Sequence, residues 1–376
     1  MSNKNFNRII TFFLVCIMIL TTVAGCGKTE QKRQQSEKTK TPETRVVTDC
    51  LGRKVTIPYK VKSVVPLANA LRLMSYADCL DLVVGVEEGE KEQTVLKAYN
   101  WVNYKTWQDM PVVGKGGSGG YTPFVEEIVG ANPDVIICGY AQKDAEDLQN
   151  KTGIPVVVIE AGNLFSKEYD QSLKVIGEVC NATAKTNQII DYISKVKEDL
   201  TKRTGNIPET EQVIAYSGAM SFKGGHGIEG TYQNFPIFQM LHVKEIIKPS
   251  TLESTGVTIE KEKVLAANPP YIFLDPGNLT MVKNDYSQNP NYYRSLDAYK
   301  KGNIYSLPGY NFYYTNVEIA LADCYYVGSV LYPEAFKDIN PEKKAAEIFE
   351  LFLGSKTYYK DMSKAGFSFG KIKIGE

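Results

Sequence analysis

Short apolar runs alternate with helical segments along most of this chain, and this alternation restricts its fold more than any other feature. The predicted strands of the first half lie at 61–67, 82–86, 110–114, 133–139 and 154–159. After residue 208 the alternation returns, with predicted strands at 212–217, 271–275 and 303–307. Strands that alternate with helices pair in parallel and are joined by crossover helices. The sequence therefore predicts an α/β fold with two Rossmann-like lobes, each built on a central parallel sheet.

A long helical stretch separates the two halves. Between residues 166 and 203, apolar residues recur at helical spacing: Leu173, Ile176, Val179, Ile189, Ile193, Val196 and Leu200. This pattern predicts one long helix or a pair of helices at 166–206, which joins lobes at 45–165 and 207–376. The second lobe closes with predicted amphipathic helices at 341–353 and 358–365.

The N-terminus has the pattern of an export signal. Two basic residues precede an apolar run at 9–23, and the tetrapeptide VAGC follows and ends at Cys26. The run is short for a transmembrane helix and suits a secretory signal peptide. Small residues before a cysteine resemble a bacterial lipobox. We therefore expect residues 1–25 to be removed and Cys26 to carry a lipid, which anchors the protein at the extracytoplasmic face of the cell membrane.

The segment 26–44 is predicted to be a solvated tether. After Cys26 it has many charged residues and no aromatic or branched aliphatic residue. Such a segment cannot bury enough apolar surface to fold.

Composition argues against several functional classes. Lysine plus arginine number 43, as do aspartate plus glutamate, so no nucleic-acid partner is indicated. Two histidines cannot build a multi-histidine metal site, and we expect no cofactor. The cysteines after Cys26 form no C-x-x-C pair, which argues against zinc or iron–sulfur ligation. Most are expected to be small buried hydrophobic residues, and the sequence gives no pairing: Cys50, Cys79, Cys138, Cys180 and Cys324.

Several motifs, in a consistent order, resemble the iron-complex and cobalamin periplasmic-binding proteins of ABC importers. The opening TDCLGRKVTIP at 48–58 is similar to the start of the mature proteins of that family. The stretch 111–139 resembles its pattern of strand, glycine, loop, glutamate-bearing helix and Pro-Asp before a strand. Residues 258–274 look like the matching element of the second lobe, and LYPEAF at 331–336 resembles the closing segment. A longer insert at 87–109 and the glycine-rich loops depart from the family pattern.

This resemblance implies the class III architecture, in which two lobes joined by a stiff helix bind a solute in the cleft between them. It also implies a monomer that delivers its ligand to an ABC permease and its ATPase. One glutamate per lobe would dock onto arginines of the permease. The motifs select Glu126 and Glu262 for this role, with Glu127 and Glu260 as neighbouring alternatives.

Ligands of open α/β sheets bind beyond the carboxyl ends of the strands, which selects the loops expected to form the cleft. These loops are rich in aromatic residues, which suit a large or chelated ligand. The candidate ligand-binding residues are Lys115, Gly116, Gly117, Ser118, Tyr121, Tyr140, Tyr216, Lys223, His226, Tyr232, Tyr310, Phe312 and Tyr313. About half of the tyrosines are expected to reach the cleft.

The loop at 114–119 also matches G-x-G-x-x-G, with Thr122 as the expected N-cap and Pro123 as the first residue of the next helix. The match raises a dinucleotide-dependent enzyme as an alternative. The glycines precede the N-cap and no acidic residue ends the following strand, so anion binding by backbone N–H groups and Lys115 is favoured. The second lobe offers a comparable glycine loop at 223–227.

The sequence therefore ranks four functions. A binding protein for an iron–siderophore-type complex comes first, because of the family resemblance and the aromatic loops. A molybdate or tungstate binding protein of the same fold comes second, because of the two glycine loops. Cobalamin or haem binding ranks lower, and an enzyme ranks last, because no catalytic constellation is present. A sensor lipoprotein that binds without delivering its ligand stays open.

Overall fold

The computed structural model describes residues 43–117, 120–160, 163–250 and 253–375. These residues belong to one compact unit. The predicted signal peptide, Cys26 and nearly all of the predicted tether lie outside the described residues, as does Ser118. No helix in the described ranges is both long and apolar enough to cross a bilayer.

The first lobe is built on a small parallel sheet. Its strands are β1 (Thr44–Thr48), β2 (Lys54–Pro58), β3 (Val64–Pro66), β4 (Val86–Glu87), β5 (Val112–Lys115), β6 (Thr122–Pro123), β7 (Val135–Cys138) and β8 (Val156–Val158). Its helices are α1 (Ala70–Tyr76), α2 (Ala98–Trp107), α3 (Val125–Ala131) and α4 (Gln142–Thr152). Strands β3, β7 and β8 pair in parallel, and every residue of these three strands is buried. Continuous apolar runs in the sequence arise because both faces of this sheet are covered.

The sequence allowed either one long helix or a pair of helices between the lobes, and the structure shows a pair. Helix α5 (Lys167–Val179) ends at Cys180, and Asn181 adopts a left-handed conformation with φ of 56°. Helix α6 (Thr183–Thr204) then runs for 22 residues and packs back against α5. At 1.5 Å per residue, α6 is about 33 Å long, which is about the diameter of a small domain.

The second lobe has a five-stranded sheet in the order β11-β9-β13-β14-β15. Its strands are β9 (Ile214–Gly218), β10 (Gly230–Gln233), β11 (Lys244–Glu245), β12 (Thr255–Thr258), β13 (Ile272–Leu274), β14 (Ile304–Ser306) and β15 (Gly370–Lys371). Its helices are α7 (Pro236–Met240), α8 (Lys261–Ala267), α9 (Leu279–Gln288), α10 (Pro290–Ser295), α11 (Asp297–Lys300), α12 (Val317–Leu331), α13 (Pro341–Leu353) and α14 (Tyr358–Lys364). Strands β9, β13, β14 and β11 are parallel, whereas β15 pairs antiparallel with β14.

The predicted α/β fold with two parallel-sheet lobes is confirmed, and its departures are local. The helix expected to start after Thr122 starts at Val125 instead, with Phe124 as the N-cap. Thr122 and Pro123 form β6, which pairs with β5 because the chain doubles back at the glycine loop. The antiparallel pair of β10 and β12 was not predicted, because α7 and β11 lie between the two strands along the chain.

The C-terminal helices tie the two lobes together. Helix α13 packs on α12, and it also contacts α1 and α2 of the first lobe. Tyr76 of α1 donates a hydrogen bond to the buried carboxylate of Glu318 on α12. The lobes therefore share part of one core, and they are joined there by more than the α5–α6 connection.

Candidate ligand cleft

A cavity of about 650 Å³ lies between the lobes, where the loops that follow the parallel strands face each other. Pockets of roughly 300–1,000 Å³ hold small-molecule ligands of drug-like size. The cavity is lined by Leu96, Lys115, Gly116, Gly117, Gly120, Thr122, Ser221, Phe222, Lys223, Gly224, Gly225, Asp275, Gly277, Asn278, Gly309, Asn311, Phe312, Tyr313 and Tyr314.

The wall from the first lobe is the glycine loop that follows β5. A Cβ atom on Gly116 would lie 2.5 Å from a carboxylate oxygen of Glu87 and 2.7 Å from the Tyr313 hydroxyl, so a larger residue there would displace these two side-chain ends. Gly117 has φ of 109°, which other residues rarely adopt. Lys115 lies 3.8 Å from Glu88, and both side chains are mostly exposed. This ion pair contributes little, which leaves the ammonium of Lys115 available to a ligand.

The wall from the second lobe is a second glycine loop, at 221–227. Lys223 is exposed and has a left-handed φ of 49°, and Gly224 follows with φ of 118°. Phe222 lines the cavity and stacks on His226 behind it, with ring centroids 3.8 Å apart. The two loops thus place one lysine on each side of the cavity, and a ligand with negative charge would be attracted from both sides.

The floor of the cavity carries a buried carboxylate that the sequence did not single out. Asp275 is 3% exposed, and its oxygens accept hydrogen bonds of 2.8 Å from Ser221 Oγ and Gly277 N. Burial raises the pKa of Asp275 to about 6, although these two hydrogen bonds oppose the shift. Asn278 donates to Ser221 Oγ and to the carbonyl of Ala219, which fixes this polar group in place.

Three residues, Arg72, Glu87 and Tyr313, form a clasp between the lobes. Arg72 of α1 is 1% exposed and donates through Nη2 to the carbonyls of Phe312, at 3.1 Å, and Tyr313. The Tyr313 hydroxyl donates to Glu87 at 2.7 Å, and burial raises the pKa of the Glu87 carboxyl. Tyr313 and Tyr314 have φ of 48° and 68°, conformations that cost non-glycine residues energy and persist only where surrounding contacts hold them.

The insert at 87–109 supplies much of the clasp. It contains Glu87, Lys97 and α2, and the ammonium of Lys97 lies 5.1 Å from the centre of the Tyr313 ring. Sequence reasoning identified the insert by its length but assigned it no role. Its charged residues Glu87, Glu90 and Lys97 are buried, and because this burial is visible only in the structure, the sequence carried no signal that places the insert at an interface.

Of the predicted ligand-binding residues, six line the cavity: Lys115, Gly116, Gly117, Lys223, Phe312 and Tyr313. Tyr121 is 38% exposed and stacks on the buried Tyr140 with ring centroids 4.2 Å apart. This stacked pair is outside the cavity lining, although the neighbouring Thr122 of β6 lines the cavity.

Three predicted tyrosines of the second lobe are structural. Tyr216 was predicted to contact the ligand, but the structure buries it in the second lobe. It is 1% exposed and its hydroxyl donates to the carbonyl of Ile228 at 2.7 Å, because its side chain points to the covered face of β9. Tyr232 donates to the carbonyl of Ser221 at 2.9 Å and supports the second glycine loop from below. Tyr310 is buried beside Tyr232, with ring centroids 6.1 Å apart.

The helices that carry the predicted docking glutamates have matching geometry. Helices α3 and α8 each span seven residues, and each buries a single residue, Ile128 in α3 and Val264 in α8. Each ends at an asparagine in the left-handed conformation, Asn132 with φ of 48° and Asn268 with φ of 41°. The two lobes therefore present the same local structure twice.

This match aligns the two glutamates. Glu126 and Glu262 each precede the buried residue of their helix by two positions, and both are exposed. Three residues after each glutamate, the helix exposes an apolar side chain, Val129 at 48% and Leu265 at 38%. Residues three apart lie on one helix face, so each lobe presents a carboxylate beside an apolar side chain.

Known proteins with similar sequences are binding proteins of transporters. The family model for periplasmic binding proteins matches residues 81–310. The substrate-binding lipoprotein YvrC of Bacillus subtilis, an uncharacterized ABC transporter component, is 24% identical over 298 residues, which cover 77% of this chain and 87% of YvrC. The molybdate-binding protein MolA of Haemophilus influenzae is 24% identical over 342 residues, which cover 84% of this chain and 92% of MolA.

Solved structures share the fold. MolA bound to molybdate superposes with a TM-score of 0.64 at 19% identity, covering 83% of this chain and 98% of MolA. A TroA-like periplasmic binding protein from Veillonella parvula, named FepB, superposes with a TM-score of 0.62 at 19% identity, covering 82% of this chain and 96% of that one. Since the family model matches more than half of the sequence, this chain belongs to the periplasmic binding protein family, whose members are transport components and not enzymes.

Proposed function

We propose that this protein captures an anionic iron–siderophore-type complex in the inter-lobe cavity and delivers it to the permease of an ABC importer. The observation that carries the proposal is the cavity of about 650 Å³ with a lysine on each wall and four aromatic residues in its lining, Phe222, Phe312, Tyr313 and Tyr314. A volume of that size suits a chelate whose organic ligand packs against rings while its charge meets the lysines.

A molybdate or tungstate oxyanion is the second candidate. The similarity to MolA favours it, as do two glycine loops whose backbone N–H groups and lysines could surround a small anion. The volume of the cavity, about 650 Å³, argues against this candidate, because a four-oxygen anion would fill only a small part of it. Binding of such an ion in this cleft would require the two loops to approach each other around it.

The other candidates have less support. Haem or cobalamin binding through an axial histidine does not fit, because His226 stacks behind Phe222 and His242 Nδ1 lies 3.0 Å from Thr204 Oγ1. A dinucleotide-dependent enzyme does not fit the glycine loop, which leads into β6 and not into a helix. A pyrophosphate there would lack the helix N-terminus that such sites use.

A thermal-shift screen of the chain from Lys28 onward tests the proposal. The panel contains ferric siderophores, haem, cobalamin, molybdate and tungstate. A ligand at 100 times its dissociation constant adds about 2.7 kcal/mol to the free energy of unfolding, which raises the melting temperature measurably. Stabilisation by ferric chelates supports the proposal, whereas stabilisation by the oxyanions alone replaces it with the second candidate.

Lys115→Gln and Lys223→Gln should each weaken binding of the anionic ligand by about tenfold, because each removes one charge-assisted contact. Lys356→Gln is the matched control, since that exposed lysine pairs with Glu350 and does not line the cavity. Isothermal titration calorimetry gives the affinities. Equal affinity in all three variants would contradict the placement of the ligand between the two loops.

Binding should also depend on the charge of Asp275. Because the pKa of this carboxyl is about 6, the group is mostly ionised at pH 7 and mostly neutral at pH 5, so an anionic ligand should bind more tightly at the lower pH. In Asp275→Asn this increase should be absent, and affinity at pH 7 should rise. Affinities measured from pH 5 to 7.5 test this, and parallel profiles for the two proteins would show that Asp275 does not face the ligand.

We propose that α3 and α8 form the surface that docks on the permease. Two exposed carboxylates held on matching helices can pair with arginines at a fixed separation, which sets the docking orientation. Val129 and Leu265 would bury apolar area beside each ion pair. The match between the helices supports the pairing of Glu126 with Glu262, because Glu260 is the N-cap of α8 and corresponds to Phe124.

The double variant Glu126→Ala, Glu262→Ala should abolish ligand uptake by cells and leave solution affinity unchanged, because neither residue lines the cavity. Glu127→Ala with Glu260→Ala is the matched control and should retain uptake. Radiolabelled ligand uptake and calorimetry measure the two effects. Loss of uptake in the control pair alone would move the docking site to the other pair.

The lipid anchor on Cys26 is proposed from the sequence, and it agrees with the description of YvrC as a lipoprotein. Cys26→Ala should shift the protein from the membrane fraction to the soluble extracytoplasmic fraction, because no thiol is left to receive the lipid. Immunoblots of fractionated cells measure the distribution. Continued membrane association of the variant would show that the uncleaved signal segment, or another anchor, holds the protein.

A further inference from the structure

The tip of the insert at 87–109 reaches across the cleft. Leu96, in the turn before α2, lines the cavity together with residues of the second lobe. A Cβ atom on Gly277, which follows β13, would lie 3.9 Å from Leu96 Cδ1 and 3.1 Å from Asp275 Oδ1. The end of the leucine side chain therefore lies close to the second lobe, beside the floor of the cavity.

The residues on both sides of Leu96 contact the second lobe as well. Val95 is buried, and its carbonyl accepts a hydrogen bond of 2.5 Å from the Tyr358 hydroxyl of α14. Lys97 is also buried, and its ammonium lies 5.1 Å from the centre of the Tyr313 ring. Leu96 is the half-buried residue between these two neighbours. Because both flanking contacts cross between the lobes, the tip leaves the cavity only if they break.

Contacts within the first lobe hold the tip from the other side. The N–H of Lys97 donates to the carbonyl of Thr94 at 3.1 Å, and the N–H of Leu96 lies 3.3 Å from Thr94 Oγ1. The ammonium of Lys97 donates to the carbonyl of Gly89 and lies 3.7 Å from a carboxylate oxygen of Glu90. The position of Leu96 is therefore set by the fold of the insert and does not need a bound ligand.

Leu96 differs in chemistry from the rest of the cavity lining. The walls carry lysines, the floor carries polar groups and the segment 312–314 is aromatic. Among the lining residues that the structure describes, Leu96 is the only one with a purely aliphatic side chain. Such a side chain contributes volume and apolar contact, and it binds no charge. One methylene group more or less in an apolar site changes the relative affinity of two ligands by about 10–200-fold.

We propose that Leu96 determines which chelates the cavity accepts, because it limits the size of the organic group that faces the insert. This inference rests on the proposed function, since it specifies the ligands of the same cavity. A compact ferric chelate packs its apolar edge against the methyl groups of Leu96. A chelate with a bulky substituent on that side meets a side chain that the flanking contacts hold in place.

Two ferric complexes of equal charge test the size limit: those of catechol and of 4-tert-butylcatechol, each formed with the same excess of the catecholate. Both tryptophans of the chain, Trp101 and Trp107, lie in α2 directly after the tip, so quenching of their fluorescence by the coloured complexes reports binding. The measured quantity is the ratio of the two affinities. Leu96→Ala should shift this ratio by about tenfold towards the tert-butyl complex, and Leu96→Phe should shift it the other way.

Leu51→Ala is the matched control, because Leu51 is an exposed leucine between β1 and β2 and does not line the cavity. Its affinity ratio should equal that of the wild-type protein. Binding of both complexes with the same ratio in wild type, Leu96→Ala and Leu96→Phe would overturn the role of Leu96 and leave the proposed function in place. Absence of quenching by both complexes in every protein would overturn the proposed capture of ferric chelates, and this inference with it.

The position of the tip is measured without a ligand, on the chain from Lys28 onward, which contains the whole compact unit. In protein with labelled leucine methyl groups and protonated glycine in a deuterated background, the Leu96 methyl protons should show NOE cross-peaks to the α-protons of Gly277. The spectrum of Leu96→Ala identifies these cross-peaks. Tyr358→Phe removes the hydroxyl group that holds Val95 and should weaken them. Their absence from the wild-type spectrum would show that the tip is not held against the second lobe, which overturns the proposed size limit.

Discussion

The buried guanidinium of Arg72 is the contact on which the arrangement of the cleft depends. A charged group in the interior is costly unless it is paired, and removal of one partner leaves a penalty of about 3–5 kcal/mol. Arg72 obtains its partners from the other lobe, through the carbonyls of Phe312 and Tyr313, and its guanidinium also lies 4.6 Å from the centre of the Tyr99 ring. Separation of the lobes would therefore strand a buried cation.

The clasp explains several features around the cavity. Tyr313 and Tyr314 hold strained left-handed conformations because Arg72 and Glu87 fix that segment from the first lobe. A side chain at Gly116 would press on the Glu87–Tyr313 hydrogen bond, whose atoms lie within 2.7 Å of the position of a Cβ atom. The glycine loop and the tyrosine segment are thus positioned by the same contact, and both line the cavity. Closure around a ligand should be a small rotation that keeps this contact, and not a wide hinge motion.

The cavity lining carries charged groups of both signs, two lysines and one buried carboxyl group. Exposed lysines on the walls attract an anion at little cost, because they remain solvated until the ligand arrives. The buried carboxylate of Asp275 on the floor has the opposite charge, and burial makes its ionised form unfavourable. A group with a pKa near 6 in this position would make binding of the proposed anionic ligand sensitive to pH. Its hydrogen bonds to Ser221 and Gly277 also order the floor.

The sequence by itself determined the fold class, the helical connection and the central parallel strands of both lobes (β3, β7 and β8, and β9, β13 and β14), because their buried apolar runs are local in the sequence. It also located both glycine loops, since their composition is local. Only the tertiary structure decided which aromatic residues reach the cavity: Tyr313 does, whereas Tyr216 packs in the core, and no local pattern separates the two. The contacts of Arg72 and of Asp275 are made with residues distant along the chain. Such pairings are set by packing between elements, which a single sequence does not record.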